Sequence, residues 1–372
     1  MRFLVGAYTA DMDGTASGIG AIDVPVRADE REGAGAPSGS ETTRLLAPSD
    51  SPSWIARHPS LPVVYATLEA RGVVQAFRET DAGSGADALE PLGSPVPAGE
   101  AVCHVEVAPD GSRIVAACWG DGRLVSAPLD ADGTPDAGAA TLLAASVDPY
   151  GAADAEARPS RSHTSRFLAD GTLATTDLGH DVVRFWRGLD LVGVTALPEG
   201  SGPRHLVQSS GGLLFVVTEY SCETFALERV SEGEWIVAAS TPLGAVEGDS
   251  AAEIALSPDE RFLSAGVRGS NTLATVRVER ATGMDAGAAG APPAAEGDEA
   301  NAPATRLVLV DVSPAGVDWP RHHVVGDGFV AVAGQRSNDV VVHELDAGTG
   351  APTRVVARVA TPSPTRLLAW EA

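Results

Sequence analysis

Apolar runs of four to eight residues recur along this chain, each introduced by a turn. PVVYAT follows His58-Pro59-Ser60, and RIVAAC follows Pro109-Asp110-Gly111. TLATTD follows Ala169-Asp170-Gly171, and LLFVVTE follows Ser210-Gly211-Gly212. RFLSAGVR comes after Pro258-Asp259-Glu260, and FVAVAG after Gly326-Asp327-Gly328. Such turns are tight because Pro presets φ and Gly allows positive φ. A second apolar run then appears: VVQAF, RLVSA, VVRFW, TFALE, TLATV and VVVHEL. Runs this short, rich in Val, Leu and Phe, predict strands buried on both faces.

Ahead of these runs stands a phrase with seven copies: SPSWIA from Ser51, AVCHVE from Ala101, SRSHTS from Ser160, GPRHLV from Gly202, AAEIAL from Ala251, WPRHHV from Trp319 and SPTRLL from Ser363. One register of these copies collects Trp54, His104, His163, His205, Glu253 or its neighbour, His322 and Arg366. The steps between those positions are 50, 59, 42, 48, 69 and 44 residues. A period of roughly 40–50 residues with short strands predicts a β-propeller, each repeat one four-stranded blade. The phrase is then the innermost strand, lining a central channel.

The chain ends refine this all-β reading. SPTRLL has no partner strand after it, and FLVGAYT near the start has no innermost phrase before it. The C-terminal strand is therefore expected to join the N-terminal blade, closing a seven-bladed ring and removing two open edges. The expected blades are roughly 1–47 plus 363–372, 51–98, 101–148, 160–199, 202–248, 250–316 and 319–360, in one propeller domain. Residues 281–305 are low in complexity, explain the step of 69, and are expected to be a mobile loop; 28–41 is a smaller version.

Charge narrows the partners. Fifty acidic against 26 basic residues give a net charge of −24, which repels nucleic acid and anionic membranes. Every Lys-or-Arg position is Arg. Without lysine there is no Schiff-base chemistry on a lysine and no Walker-type phosphate loop. Cys103, Cys118 and Cys222 lack metal-ligand spacing and read as reduced core residues of a cytoplasmic protein. No run approaches the ~18 apolar residues of a membrane helix.

The candidate chemistry sits in the innermost register. It holds four of the eight histidines, with Arg204, Arg321 and Arg366 beside or within it. The second strands end in a further ring: Tyr8, Glu69, Trp119, Asp177, Glu219, Arg268 and Gln335. Ionisable groups repeated at one register converge on one opening, the default place for a small-molecule site. The histidines are distributed over different repeats, so no metal or other cofactor is called for.

These phrases carry a resemblance. SGPRHLV, FVVTEY, AAEIALSPDERFLSAGVRGSN and DWPRHHV resemble the lactonase family of seven-bladed propellers, and the likeness extends over all seven repeats. That family includes a bacterial type of 6-phosphogluconolactonase and the fungal-type 3-carboxymuconate lactonising enzymes. The resemblance implies a catalytic set of His163, Arg204, Glu219 and Arg268. Two departures stand out. The usual Pro-His-x-His phrase reads Ser160-Arg161-Ser162-His163, and the Asn expected before Arg268 is Val267.

The implied activity is hydrolysis of a phosphorylated or carboxylated sugar lactone, 6-phosphogluconolactonase-like. A carboxylate or imidazole takes a proton from water, and guanidinium groups hold the oxyanion or the substrate's own anion. Glu219 is the first choice for the base and His163 the second, with Arg204 and Arg268 as anion binders. Arg161, His104, His205, Arg321, His322 and Arg366 are expected to contact substrate. The site should admit one sugar ring, in a pocket made positive by Arg161, Arg204, Arg268, Arg321 and Arg366. The alternatives are a cycloisomerase of the carboxymuconate type and a non-catalytic propeller binding a small molecule or protein.

Overall fold

Each apolar run becomes the second strand of a four-stranded antiparallel sheet, and seven such sheets are present. The computed structural model describes residues 1–25, 43–81, 87–152, 156–280 and 305–370. Residues 281–304 and 28–41, read from sequence as loops, lie outside the described residues. Among the described residues no helix is long and apolar enough to cross a membrane.

The runs lack alternation because both faces are covered. Val63–Leu68 and Phe329–Gly334 are buried at every residue. One core cluster joins Tyr65 and Val63 of the second blade to Ile114, Ala116 and Val125 of the third. Equivalent clusters join Phe215 to Leu263, and Phe3 to Phe329. Burying one such large side chain contributes roughly 1.5–3 kcal/mol, so the seams between blades supply much of the stability. The three cysteines lie in this interior, buried and unbridged.

The ring closes as the chain ends predict. One sheet runs in the order Pro364–Ala369, Arg2–Ala7, Gly18–Asp23, Arg44–Pro48. Leu4 stands opposite Leu368, and Val5 opposite Leu367. The strand at the C-terminal end is thus the innermost strand of the first blade, and it packs between the innermost strands of the second and seventh blades.

A device invisible in the apolar pattern prepares the site. All seven innermost strands slip register at the same place. Pro203 pairs with Thr218 and His205 with Val217, which leaves Arg204 as an extra residue. Pro320 pairs with Gly334 and His322 with Ala333, leaving Arg321. Ser53, Cys103 and Thr365 are extra in the same sense. Such a β-bulge breaks strict alternation and re-aims side chains. Two consecutive residues, Arg204 and His205, thereby reach one channel.

The chain also turns sharply before several of these strands. Ser51, Ala101, Trp319 and Ser363 have φ of 36°, 48°, 63° and 35°, and Gly202 has 69°. At Gly202 a side chain is also excluded by space, since a Cβ would stand 2.7 Å from the Tyr220 ring. The glycine of the Gly-Pro-Arg-His phrase adopts this φ without the strain that the side chains at the equivalent positions carry, and it leaves room for the Tyr220 ring.

Candidate active site at the channel mouth

Glu219 follows the second strand of the fifth blade, Leu214–Thr218. Its carboxylate is gripped on both oxygens. Arg204 Nε lies 2.7 Å from Oε2, and Arg268 Nη2 lies 3.0 Å from Oε1. Backbone carbonyls of the sixth blade fix both cations: Arg204 Nη1 donates to Ala252 at 2.8 Å, and Arg268 Nη2 to Ala251 at 2.9 Å. Burial would raise the Glu219 pKa, but Arg268 and Arg204 outweigh it and hold the carboxyl below its usual value. Burial and the adjacent Arg204 push Arg268 down to about 10, so it stays charged at neutral pH.

Arg321 enters from the seventh blade. Its Nη2 donates to the Tyr8 hydroxyl at 2.7 Å, and its guanidinium lies 4.9 Å from the centre of that ring. The Tyr8 hydroxyl donates in turn to the Glu69 carboxylate, at 3.0 and 3.1 Å from its two oxygens. Burial raises the Tyr8 pKa, so the phenol remains protonated. Three guanidiniums from the fifth, sixth and seventh blades thus face two carboxylates at one opening.

Beneath the mouth lies a small cavity lined by Ser53, Trp54, Cys103, His163, Arg204, His205, Arg321 and Thr365. These are mostly the bulge residues and their successors. The cavity measures about 10 Å³, close to the least space that one water needs. It does not admit a sugar ring, contrary to the expectation from sequence, because Trp54 fills the channel. The Trp54 ring centre is 4.3 Å from that of His104, 5.1 Å from His205 and 5.5 Å from His322.

The four channel histidines are neutral for a common reason. Burial removes water from the charged form, and neighbouring Arg and His groups oppose it further. His163, His104 and His322 are held well below the ordinary imidazole value by burial first, and by Arg204 or Arg366 or a facing histidine next. His205 is lowered by burial to about 4, although Glu253 pulls the other way. Its Nδ1 lies 2.8 Å from the Glu253 carboxylate.

The model of the family described as "Lactonase, 7-bladed beta-propeller" matches residues 2–286 and 300–369. The chain belongs to that family. A 6-phosphogluconolactonase of Bacillus subtilis (strain 168) is 23% identical to this lactonase-family chain over 335 residues, covering 86% of the chain and 88% of the relative. The structure of a periplasmic gluconolactonase from Pseudomonas aeruginosa superposes with a TM-score of 0.76, at 22% identity, over 99% of each chain. A protein from Lactobacillus plantarum gives 0.75 at 22% identity, again over 99% of each. At these identities the solved structures support the fold alone.

The residues expected at the site separate into three groups in this lactonase fold. Glu219, Arg204 and Arg268 are in direct contact, and His163 and Arg321 share the cavity with Arg204. His205 lines the same cavity and also packs on Trp54, and His104, His322 and Arg366 surround Trp54. Arg366 stands 4.1 Å from the Trp54 ring centre and bonds the His322 ring. His104 accepts from the Ser165 amide at 3.4 Å. Arg161 is drawn away: Nη1 donates to the Gly120 and Trp119 carbonyls at 2.7 and 3.2 Å, and the guanidinium covers the Trp119 ring at 4.3 Å. It is held at the rim of the third blade, so the positive mouth is made by Arg204, Arg268 and Arg321. Asp177 accepts the Arg161, Gly179 and His180 amides and is structural.

Two partnerships were not anticipated, Tyr8 with Glu69 and His205 with Glu253. All four residues stand at the repeated registers, which was the available signal. Which of them touch depends on the radius at which each blade sits.

Proposed function

We propose that this chain hydrolyses a sugar lactone that carries a phosphate or carboxylate, of the 6-phosphogluconolactone kind, in the cytoplasm. The observation that carries the proposal is the convergence of Arg204, Arg268 and Arg321 on one mouth, in a chain of net charge −24. An overall negative field repels an anionic ligand, and a local cluster of fixed cations is what reverses it. The name of the Bacillus relative agrees with this substrate class.

The sugar ring sits above the Arg204–Glu219–Arg268 layer, since the cavity below is too small for it. Guanidinium groups bind the substrate's anion bidentately and stabilise the oxyanion formed when the carbonyl is attacked. Glu219 stays ionised, and a guanidinium occupies each of its two oxygens. In this reading it fixes the two guanidiniums, a positioning role. The water's proton goes to an imidazole of the cavity, which is lined by His163 and His205.

The test is a hydrolysis assay on a lactone panel: 6-phosphogluconolactone, a carboxylated muconolactone and uncharged gluconolactone. The phosphorylated or carboxylated lactone is expected to show the higher kcat/KM. Hydrolysis of the uncharged lactone alone, or of none, would refute the proposal.

A further inference from the structure

His205 and Glu253 form a buried pair. The carboxylate can only accept and His205 Nδ1 lies 2.8 Å from it, so the proton of the neutral ring is placed on Nδ1. This fixes the tautomer of a neutral ring, leaving Nε2 with its lone pair. That Nε2 is buried and has no hydrogen-bond partner in the protein. His205 also lines the cavity that has room for about one water, together with His163, whose Nδ1 likewise lacks a protein partner. The two rings are 5.0 Å apart, centre to centre.

We infer that His205, oriented by Glu253, is the general base that activates the hydrolytic water, and that His163 orients the same water. The inference rests on the lactone-hydrolysis reading above and names the group that performs it. The water's oxygen forms a bond to the lactone carbonyl carbon, and one of its protons passes to His205 Nε2. The carbonyl π pair moves to oxygen, which the mouth guanidiniums hold. Collapse of the tetrahedral species breaks the bond to the ring oxygen. His205 returns its proton there, so the ring is neutral again and the product is the open hydroxy acid. Glu253 stabilises the imidazolium between these two transfers and fixes the ring orientation, as the carboxylate of a catalytic triad does.

The groups around His205 fit this cycle. Besides Glu253, they are Arg204 on its own strand, His104 and His163 from the third and fourth blades, His322 from the seventh, which shares the Glu253 carboxylate at 3.3 Å, and Arg366 from the first. The cations and neutral rings keep His205 unprotonated at rest. Burial would raise the Glu253 pKa, but its histidine neighbours and Arg366 together hold it well below its usual value.

The test uses the full chain and the best lactone of the panel. Glu253→Gln keeps the shape and removes the charge, and His205→Gln removes the base. Each is expected to lower kcat by roughly 10²–10⁴-fold with KM changed less than threefold. Glu253→Asp should recover part of kcat. Nitrogen NMR of the unmutated protein should show His205 protonated at Nδ1 and bare at Nε2. If the wild type hydrolyses an anionic lactone and His205→Gln does so equally fast, the inference fails and the functional proposal stands. An Nε2-protonated tautomer overturns the inference even where both variants fail to fold. A wild type inactive on every lactone removes the functional proposal itself, and the inference with it.

Discussion

Arg321 and Tyr8 meet across the closing seam of the ring, Nη2 to hydroxyl at 2.7 Å, although 313 positions separate them in sequence. The phenol is the hinge of a relay, because it also donates to Glu69 of the second blade. Three blades are tied at one oxygen.

Tyr8→Phe deletes that oxygen and keeps the ring. A buried hydrogen bond to a charged group contributes about 1.5–3 kcal/mol, and here both partners are charged. We expect a loss of stability of about that size by denaturant unfolding. KM for an anionic lactone should also rise, because Arg321 loses its anchor. An unchanged KM together with unchanged stability would remove Tyr8 from the site.

Glu219→Gln separates the two roles open to this carboxylate. As a clamp on Arg204 and Arg268, its loss should destabilise the protein and reduce kcat by less than about tenfold. As a general base, its loss should reduce kcat by roughly 10²–10⁴-fold in a folded protein. Steady-state kinetics beside a thermal melt distinguish these outcomes, and we expect the first.

Arg268→Met removes a guanidinium that contacts Glu219 on the mouth side. Its effect should depend on the substrate's charge. KM should rise roughly tenfold to a hundredfold for a phosphorylated lactone, as expected for losing one charge-assisted bond. It should change little for an uncharged lactone. Equal effects on both would show that Arg268 does not bind the anion.

Acid should unfold this protein early. His104, His163, His205 and His322 are all held below the ordinary imidazole value, His205 at about 4. Between pH 6.5 and about 4 the unfolded chain binds protons that the folded ring refuses. Stability therefore rises with pH in that window, is fully present above about 6.5, and is lost as pH falls. Each such histidine adds up to about 1.4 kcal/mol per pH unit to the slope. Unfolding midpoints that stay flat from pH 7 to 4.5 would mean that the channel histidines are charged or solvated.

The propeller was legible because its signal is repeated. One apolar run could be a strand or a helix fragment, but six turn-run pairs, with seven copies of the phrase ahead of them, leave one architecture. The closing strand was legible because Ser363 to Leu368 and Phe3 to Thr9 each lacked the other's partner. The site was harder. His104, His163, His205 and His322 share a register, yet their depth is set by Trp54, whose bulk was read only as one register member. Arg161 sits beside His163 in sequence but precedes Ser162–Phe167, so nothing turns it inward and the Trp119 and Gly120 carbonyls capture it. Arg204 and Arg321 reach the cavity through bulges, which depend on hydrogen-bond register and leave no mark on composition.

The closing sheet also has a temporal meaning. Every other blade pairs strands that are near neighbours in sequence, so those hairpins can form as soon as they are made. The pairing of Leu4 with Leu368 must wait for almost the whole chain. Contacts of such separation form slowly, because the chain between them must be ordered first. Until then the first blade lacks its innermost strand and shows an unpaired edge, the state most exposed to pairing with another chain. Tyr8 and Arg321 flank that seam, so the arginine mouth is assembled only when the ring is. Closure of the ring and completion of the mouth are thereby the same event.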